Sequence, residues 1–209
     1  MRYLLAMSLA LAPVLASSQV VTKVTPEVAN EAVAFAQTIA GAGPDTLPPH
    51  TGTEYTVYYP SEPGEPQHWH LTMLTPYSRM VALALEKARK LLPPPDTAAL
   101  LKEVSPADRV FLLATIEAPE RPGDDRPEVE RIVVVRRGFL DVAHTFQPIA
   151  EKPLIESYQN ALGTETKTKG AMAAFPFSVL TADNDIVVIF GNGSRSIVPL
   201  TESLLATIR

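Results

Sequence analysis

The sequence predicts an α+β protein, with helices mainly in the N-terminal half and an antiparallel sheet or a small β-sandwich in the C-terminal half. Before residue 105, apolar residues recur mostly at the three- and four-residue spacing of helices. After it, short runs rich in β-branched residues dominate. Strands do not alternate with long helices, as parallel βαβ units would require. The 209 residues are 46% hydrophobic and 20% charged, so the chain can bury a core.

The first 16 residues have the order of a secretory signal peptide. Arg2 supplies a positive charge, an apolar run follows from Tyr3 to Leu15, and small residues begin at Ala16. The run is shorter than the roughly 20 residues that cross a bilayer. We therefore predict a signal peptide over residues 1–16, cleaved after Ala16 or else after Ser18, and a secreted or periplasmic protein with no membrane span after cleavage.

Residues 17–53 predict an N-terminal helix followed by a proline-rich linker. Thr25 and Pro26 form an N-cap followed by proline at the first helical position, and apolar residues then recur on one helical face. Gly41 is a suitable C-terminal stop, and the linker runs from there to Thr53.

Residues 54–209 are expected to form a single α+β body, although the sequence leaves open a subdivision near residue 105. The first part of this body contains two strands, a long helix capped by Thr75 and stopped by three consecutive prolines, and a short helix capped by Asp96. These elements are Glu54–Tyr59, Gln67–Leu74, a helix from Pro76 that ends before Pro93, and Asp96–Val104.

The second part of the body is expected to be mostly strand. An antiparallel meander is predicted over Val110–Glu117, Val129–Arg136 and Phe139–Phe146. A helix is predicted over Pro153–Leu162, and an exposed polar segment over Thr164–Gly170. Three further strands are predicted at Phe175–Leu180, Asp185–Phe190 and Ser194–Val198, and the last two are joined by the hairpin turn Gly191-Asn192-Gly193. The tail from Thr201 to Ile208 is weakly helical.

His68 and His70 are the candidate metal ligands. Residues two apart on a strand face the same side, which brings two imidazoles close enough to share a metal ion. The site needs at least a third ligand, and the candidates are Glu65, His50, Glu54 and His144. The competing interpretation is that both histidines lie on the solvated face of an amphipathic strand.

Composition and motifs narrow the function. The net charge of −5 argues against a nucleic-acid partner, and the absence of cysteine excludes disulfides, thiolate metal sites and cysteine nucleophiles. The Gly191–Ser194 and Asp183–Asp185 segments match neither a phosphate loop nor a calcium loop. No cofactor is predicted.

We hypothesise an exported, soluble, non-enzymatic module of the cell envelope that binds an unknown protein or small-molecule partner, through a sheet edge or the charged loop Glu120–Arg131. The alternative is an envelope enzyme or metal-binding protein that uses His68 and His70. A third interpretation is a carrier with a ligand pocket between helix and sheet. The sequence leaves the oligomeric state open.

Overall fold

The computed structural model describes residues 24–41, 53–59, 67–105, 107–116, 127–138, 144–159, 163, 165–206 and 208. The predicted signal peptide, residues 1–16, lies outside the described residues, as do most of the predicted linker and residues 120–126 of the charged loop.

The helices and strands follow the predicted division of the chain. The helices of the described residues are α1 (Pro26–Ile39), α2 (Pro76–Arg89), α3 (Thr97–Glu103) and α4 (Glu202–Leu205). The strands are β1 (Thr53–Tyr59), β2 (Gln67–Leu74), β3 (Arg109–Ile116), β4 (Val129–Arg136), β5 (Thr145–Phe146), β6 (Ala150–Gln159), β7 (Glu165–Pro176), β8 (Asn184–Phe190) and β9 (Arg195–Pro199). A short 3₁₀ turn, Phe177–Val179, follows β7.

The first three helices start where their capping residues predict. Thr25, Thr75 and Asp96 each accept a hydrogen bond from the backbone N–H three residues on, at 3.4, 3.2 and 3.2 Å. Each bond satisfies a donor that has no partner within the helix. These side chains therefore fix the first turns of α1, α2 and α3.

The strands form two antiparallel sheets. Sheet A has the order β1-β2-β3-β7-β6, and sheet B has the order β5-β4-β8-β9. Buried side chains of both sheets share one core, which makes the pair a β-sandwich and confirms the α+β prediction. Within that core the rings of Trp69 and Phe190 lie 5.8 Å apart, one from each sheet.

A second core belongs to the helices. We call α1, α2 and α3 the helical unit, because their buried side chains form a cluster separate from that of the sandwich. The chain inserts α2 and α3 between β2 and β3, which are hydrogen-bonded neighbours in sheet A. Thr97 at the start of α3 donates a hydrogen bond of 2.7 Å to Asn30 on α1, which ties the two helices together.

The helix predicted over Pro153–Leu162 is wrong. Residues from Ala150 to Gln159 form β6, an edge strand of sheet A paired along its whole length with β7. The segment Thr164–Gly170, predicted to be polar and exposed, supplies the first half of β7 from Glu165 onward. Glu165 and Lys167 are exposed, whereas Thr168 and Gly170 are buried. Pairing between the two segments overrides local propensity, and Pro153 is tolerated because β6 has a neighbour on one side only.

The predicted meander is also incorrect at its first step. Strands β3 and β4 lie in different sheets, although β4 does pair with β5. Within the predicted strand Phe139–Phe146, residues 139–143 lie outside the described residues, and β5 covers Thr145–Phe146. The strand predicted over Phe175–Leu180 is instead the end of β7 followed by the 3₁₀ turn.

Two glycines are required by the fold. A Cβ atom on Gly170 would collide with the carbonyl oxygen of Ala114, where β7 passes closest to β3. Gly193 has a φ of +82° in the turn between β8 and β9, which confirms the predicted hairpin. The backbone N–H of Ser194 donates to Oδ1 of Asn192 at 3.0 Å, so this turn closes on itself.

Candidate functional site

The predicted histidine pair lies on β2, whose two faces differ as the sequence indicates. Trp69, Leu71 and Met73 are buried in the sandwich core. His70 and Thr72 alternate with them and are half-buried. His70 therefore lies on the outer face of sheet A, away from sheet B.

The strand register places both histidine positions on that outer face. His68 pairs with Tyr58 of β1, and His70 pairs with Thr56 of β1 and Thr115 of β3. The side chain of His68 lies outside the described part of the structure. The two positions are thus neighbours on one face, as the sequence predicts, but the direction of the two imidazoles relative to each other is untested.

The proposed third ligands do not all lie near this face. Glu54 occupies a β1 position opposite Thr72, on the same face as His70. His144 comes directly before β5, in sheet B. His50 and Glu65 lie outside the described residues. Where the chain is described, no group of three or more His, Asp or Glu residues is arranged to hold a metal ion. The metal site at His68 and His70 stays a prediction.

A second candidate site is a groove in the helical unit that the sequence does not reveal. It has a volume of about 320 Å³ and lies between α1, the end of α2 and the proline segment that follows. We call it the helical groove. Its lining is apolar except for Gln37, and consists of Val33, Gln37, Ala40, Ala84, Ala88, Leu91, Leu92, Pro94 and Pro95.

The backbone at the end of α2 shapes one wall of the helical groove. The N–H of Leu91 donates to the carbonyl of Ala88, and the N–H of Leu92 donates to the carbonyl of Lys87, both at 3.0 Å. This pattern is the Schellman C-terminal motif, in which glycine usually occupies the left-handed position. Here that position is Leu91, with a φ of +55°. It is the one non-glycine residue with positive φ among the described residues.

Both leucines of this motif are exposed. Leu91 is 93% exposed and Leu92 is 52% exposed, directly beside the helical groove. Among the described residues, Leu91 combines a left-handed backbone with a solvated side chain, and neither feature stabilises the fold. The sequence signal here is the triple proline that starts at Pro93, which predicts the end of α2 but not the left-handed conformation of Leu91, two residues earlier.

One basic side chain of α2 lies next to this wall. Lys87 lies three residues after Ala84 and four before Leu91, so it borders the helical groove on the surface of α2. Arg89 and the Glu86–Lys90 ion pair lie on the other side of α2 from Ala84 and Ala88. Glu86 accepts a hydrogen bond of 2.6 Å from Lys90, which holds the pKa of the Glu86 carboxyl below its usual value.

Comparison with known proteins assigns no family. No protein-family model matches the chain, and neither a curated protein nor a solved structure does. Among the helices of the described residues, none is both long and apolar enough to cross a membrane.

Proposed function

We propose that this chain is an exported, non-enzymatic binding module of the cell envelope, and that it holds a polypeptide partner in the helical groove. The observation that carries the proposal is Leu91, which is 93% exposed and held in the left-handed region beside an apolar groove. A strained, bulky residue is a reason to look for function at its position.

The cost of the left-handed backbone and the gain from burying a leucine together support binding, rather than folding, as the reason for placing Leu91 here. The left-handed conformation costs a residue with a Cβ about 1–2 kcal/mol. A leucine side chain that becomes fully buried gains about 1.5–3 kcal/mol. Within the described part of the structure Leu91 does not obtain that gain, whereas a partner seated in the helical groove would provide it. Leu92, half-exposed on the same wall, would add to the same contact.

Site-specific crosslinking tests the docking function. A photoreactive residue replaces Gln37, the exposed polar residue in the groove lining, and the matched control replaces Ile197, which is 50% exposed on β9. We expect a discrete polypeptide adduct in cells of the native host from position 37 and not from position 197. The adduct should disappear when Leu91→Gly is added. Equal adducts at both positions, or an adduct indifferent to Leu91→Gly, would contradict the proposal.

Export is tested separately, by intact-mass measurement of the protein in each cell fraction. The envelope or external fraction should contain a chain that begins at Ser17 or, for the second cleavage site, at Gln19. A full-length chain that stays in the cytoplasm would rule out export without bearing on the helical groove.

The alternative function is an envelope enzyme or metal-binding protein that uses His68 and His70. It is supported by the register of β2, because both positions fall on the outer face of sheet A. Metal analysis of the purified protein distinguishes it from the binding module. A stoichiometric metal that is lost in the His68→Ala, His70→Ala double variant and kept in the control Glu202→Ala, an exposed residue of α4, would favour the alternative.

A further inference from the structure

We propose that Asn192, in the turn between β8 and β9, is a site of spontaneous covalent modification, in which the backbone nitrogen of Gly193 closes a ring on the side-chain amide of Asn192. Water then opens the ring and leaves aspartate or isoaspartate at position 192. The reactants are this chain and water alone, so the proposal is independent of the helical groove and of export. It follows from the residue after Asn192, from the exposure of the turn and from the hydrogen bonds that hold the side chain.

The reaction is an internal substitution at the side-chain amide. The Gly193 nitrogen loses its proton and forms a bond to Cγ of Asn192, and the bond from Cγ to Nδ2 breaks. The departing nitrogen takes up a proton and leaves as ammonia, and a succinimide ring remains. Water that adds to Cγ gives aspartate, whereas water that adds to the backbone carbonyl carbon of residue 192 gives isoaspartate, in which the main chain runs through the side chain. No oxidation or reduction takes part.

The residue that follows Asn192 makes its backbone nitrogen accessible. A Cβ on that residue would crowd the ring closure, and Gly193 has none. Among the described residues, nothing beyond its chain neighbours lies within 4 Å of the place where a Cβ would be. The other asparagines, Asn30, Asn160 and Asn184, are followed by residues with a Cβ, and Asn30 lies within α1 while Asn184 is buried.

Two hydrogen bonds hold and polarise the Asn192 side chain. Its Oδ1 accepts from the backbone N–H of Ser194 at 3.0 Å and from the Ser194 hydroxyl at 2.8 Å. The first bond closes a ring that includes the Gly193 nitrogen, so it keeps the side-chain carbonyl close to the attacking atom. Both donors also stabilise the negative charge that develops on Oδ1 as the new bond forms, as the donors of an oxyanion hole do.

One hydrogen bond of the turn opposes the reaction. The N–H of Gly193 donates to the carbonyl of Phe190 at 2.8 Å, and the nitrogen must leave this bond in order to attack. Residues 191–193 are exposed, so a local opening of the turn uncovers no part of the core. The loss of a single hydrogen bond of this kind slows the reaction by no more than about tenfold.

Peptide mapping of the purified chain tests the proposal. The chain is incubated at neutral pH and physiological temperature, digested, and analysed by chromatography and mass spectrometry that separate asparagine, aspartate and isoaspartate at each position. We expect both products at position 192 and none at Asn30 or Asn184. A synthetic peptide with the sequence of residues 187–197 gives the rate without the fold, and the folded chain should react no more than about tenfold more slowly.

A serine variant separates the contribution of the turn from that of the Asn-Gly sequence. Ser194→Ala removes the hydroxyl donor, so it should slow the reaction in the folded chain by about two- to tenfold and leave the rate of the peptide unchanged. The matched control Ser105→Ala removes an exposed hydroxyl that follows α3, and the folded chain should keep its rate. Thermal unfolding of each variant confirms that it is folded.

The outcomes that would overturn the proposal are specific. If position 192 stayed unmodified in the folded chain while the peptide reacted, the turn would protect Asn192. Aspartate without isoaspartate would exclude the ring, because direct hydrolysis of the amide gives aspartate alone. A folded-chain rate that Ser194→Ala does not change would overturn the role assigned to the Ser194 hydroxyl. None of these results bears on the helical groove.

Discussion

The β-sandwich and the helical unit are packed differently. The sandwich has the larger core, and alanine makes up a smaller share of it. Among the described residues, the sandwich core has twenty buried residues, of which three are alanine. The core of the helical unit has ten, of which four are alanine. Because hydrophobic stabilisation follows the apolar area removed from water, the sandwich contributes most of the stability. The helical unit leaves the apolar lining of the helical groove open to solvent, and this is the surface that the proposed partner would cover.

The two regions also differ in where the backbone turns left-handed. Around the sandwich, Gly138, Gly163 and Gly193 occupy these positions, where the lack of a Cβ removes the steric cost. In the helical unit the corresponding residue is Leu91. Residue type and backbone conformation agree at these three glycines and disagree at Leu91, beside the helical groove. Such disagreement is typical of functional sites.

One arginine connects the two regions. The guanidinium group of Arg79 on α2 lies 4.5 Å from the ring centre of Phe111 on β3. It also donates hydrogen bonds to the backbone carbonyls of Val104 and Glu103 at the end of α3, at 3.3 and 3.1 Å. Burial lowers the pKa of Arg79, and the charge of Glu103 opposes this shift. Arg79 thus holds α2 and α3 against sheet A.

The largest expected effect is the loss of free energy of unfolding when one buried leucine of each core is replaced by alanine. Leu112 in the sandwich is fully buried, and Leu100 in the helical unit is 2% exposed. Leu→Ala substitutions in cores cost about 2–5 kcal/mol, and the cost falls where the surroundings can close the cavity. We expect Leu112→Ala near the upper limit and Leu100→Ala near the lower, measured by urea unfolding. A larger loss for Leu100→Ala would contradict the division of stability between the regions.

The next prediction concerns the removal of Arg79, which connects the helical unit to sheet A. Arg79→Met removes two hydrogen bonds to backbone carbonyls and the contact of a cation with an aromatic ring, so it should destabilise the helical unit by about 1–3 kcal/mol. Amide hydrogen exchange should accelerate in α2 and α3, while the amides of β3 and β7 stay protected. The control is Arg136→Met, an exposed arginine of β4, and it should change neither region. Uniform acceleration throughout the chain would show that the regions do not open independently.

The elements that the sequence predicts correctly are those with local signals. The N-caps at Thr25, Thr75 and Asp96 and the turn at Gly193 act within a few residues, and the structure contains all of them. The alternation of β2 likewise needs no long-range information, so the outer position of His70 was predictable.

The errors have a common cause, which is pairing between distant segments. The segment that became β6 ends before Gly163, a suitable helix stop, and only its contact with β7 makes it a strand. The separation of β3 from β4 depends on β7 and β8, which come later in the chain. The helical groove needs α1 packed against α2 together with an unexpected conformation at Leu91, and neither has a sequence pattern.

A smaller effect tests the strain beside the helical groove. Leu91→Gly should raise the free energy of unfolding by about 1 kcal/mol, because glycine adopts positive φ without steric cost. Leu92→Gly is the matched control, since Leu92 does not have positive φ and should gain no stability. Thermal and urea unfolding measure both. If Leu91→Gly were no more stable than wild type, the argument that Leu91 is kept for a partner would lose its energetic basis.

The smallest effect is a pH dependence confined to the helical unit. The hydrogen bond and charge of Lys90 lower the pKa of Glu86 below its usual 4.5. A carboxyl with a lower pKa in the folded state stabilises the fold above its unfolded pKa, and this contribution is lost as the pH falls through the folded value. The excess stability of wild type over Glu86→Gln should therefore shrink below about pH 4.5. In Lys90→Gln, the pKa of Glu86 measured by carbon NMR should return toward its usual value. An unchanged titration in that variant would mean that a group other than Lys90 lowers the pKa of Glu86.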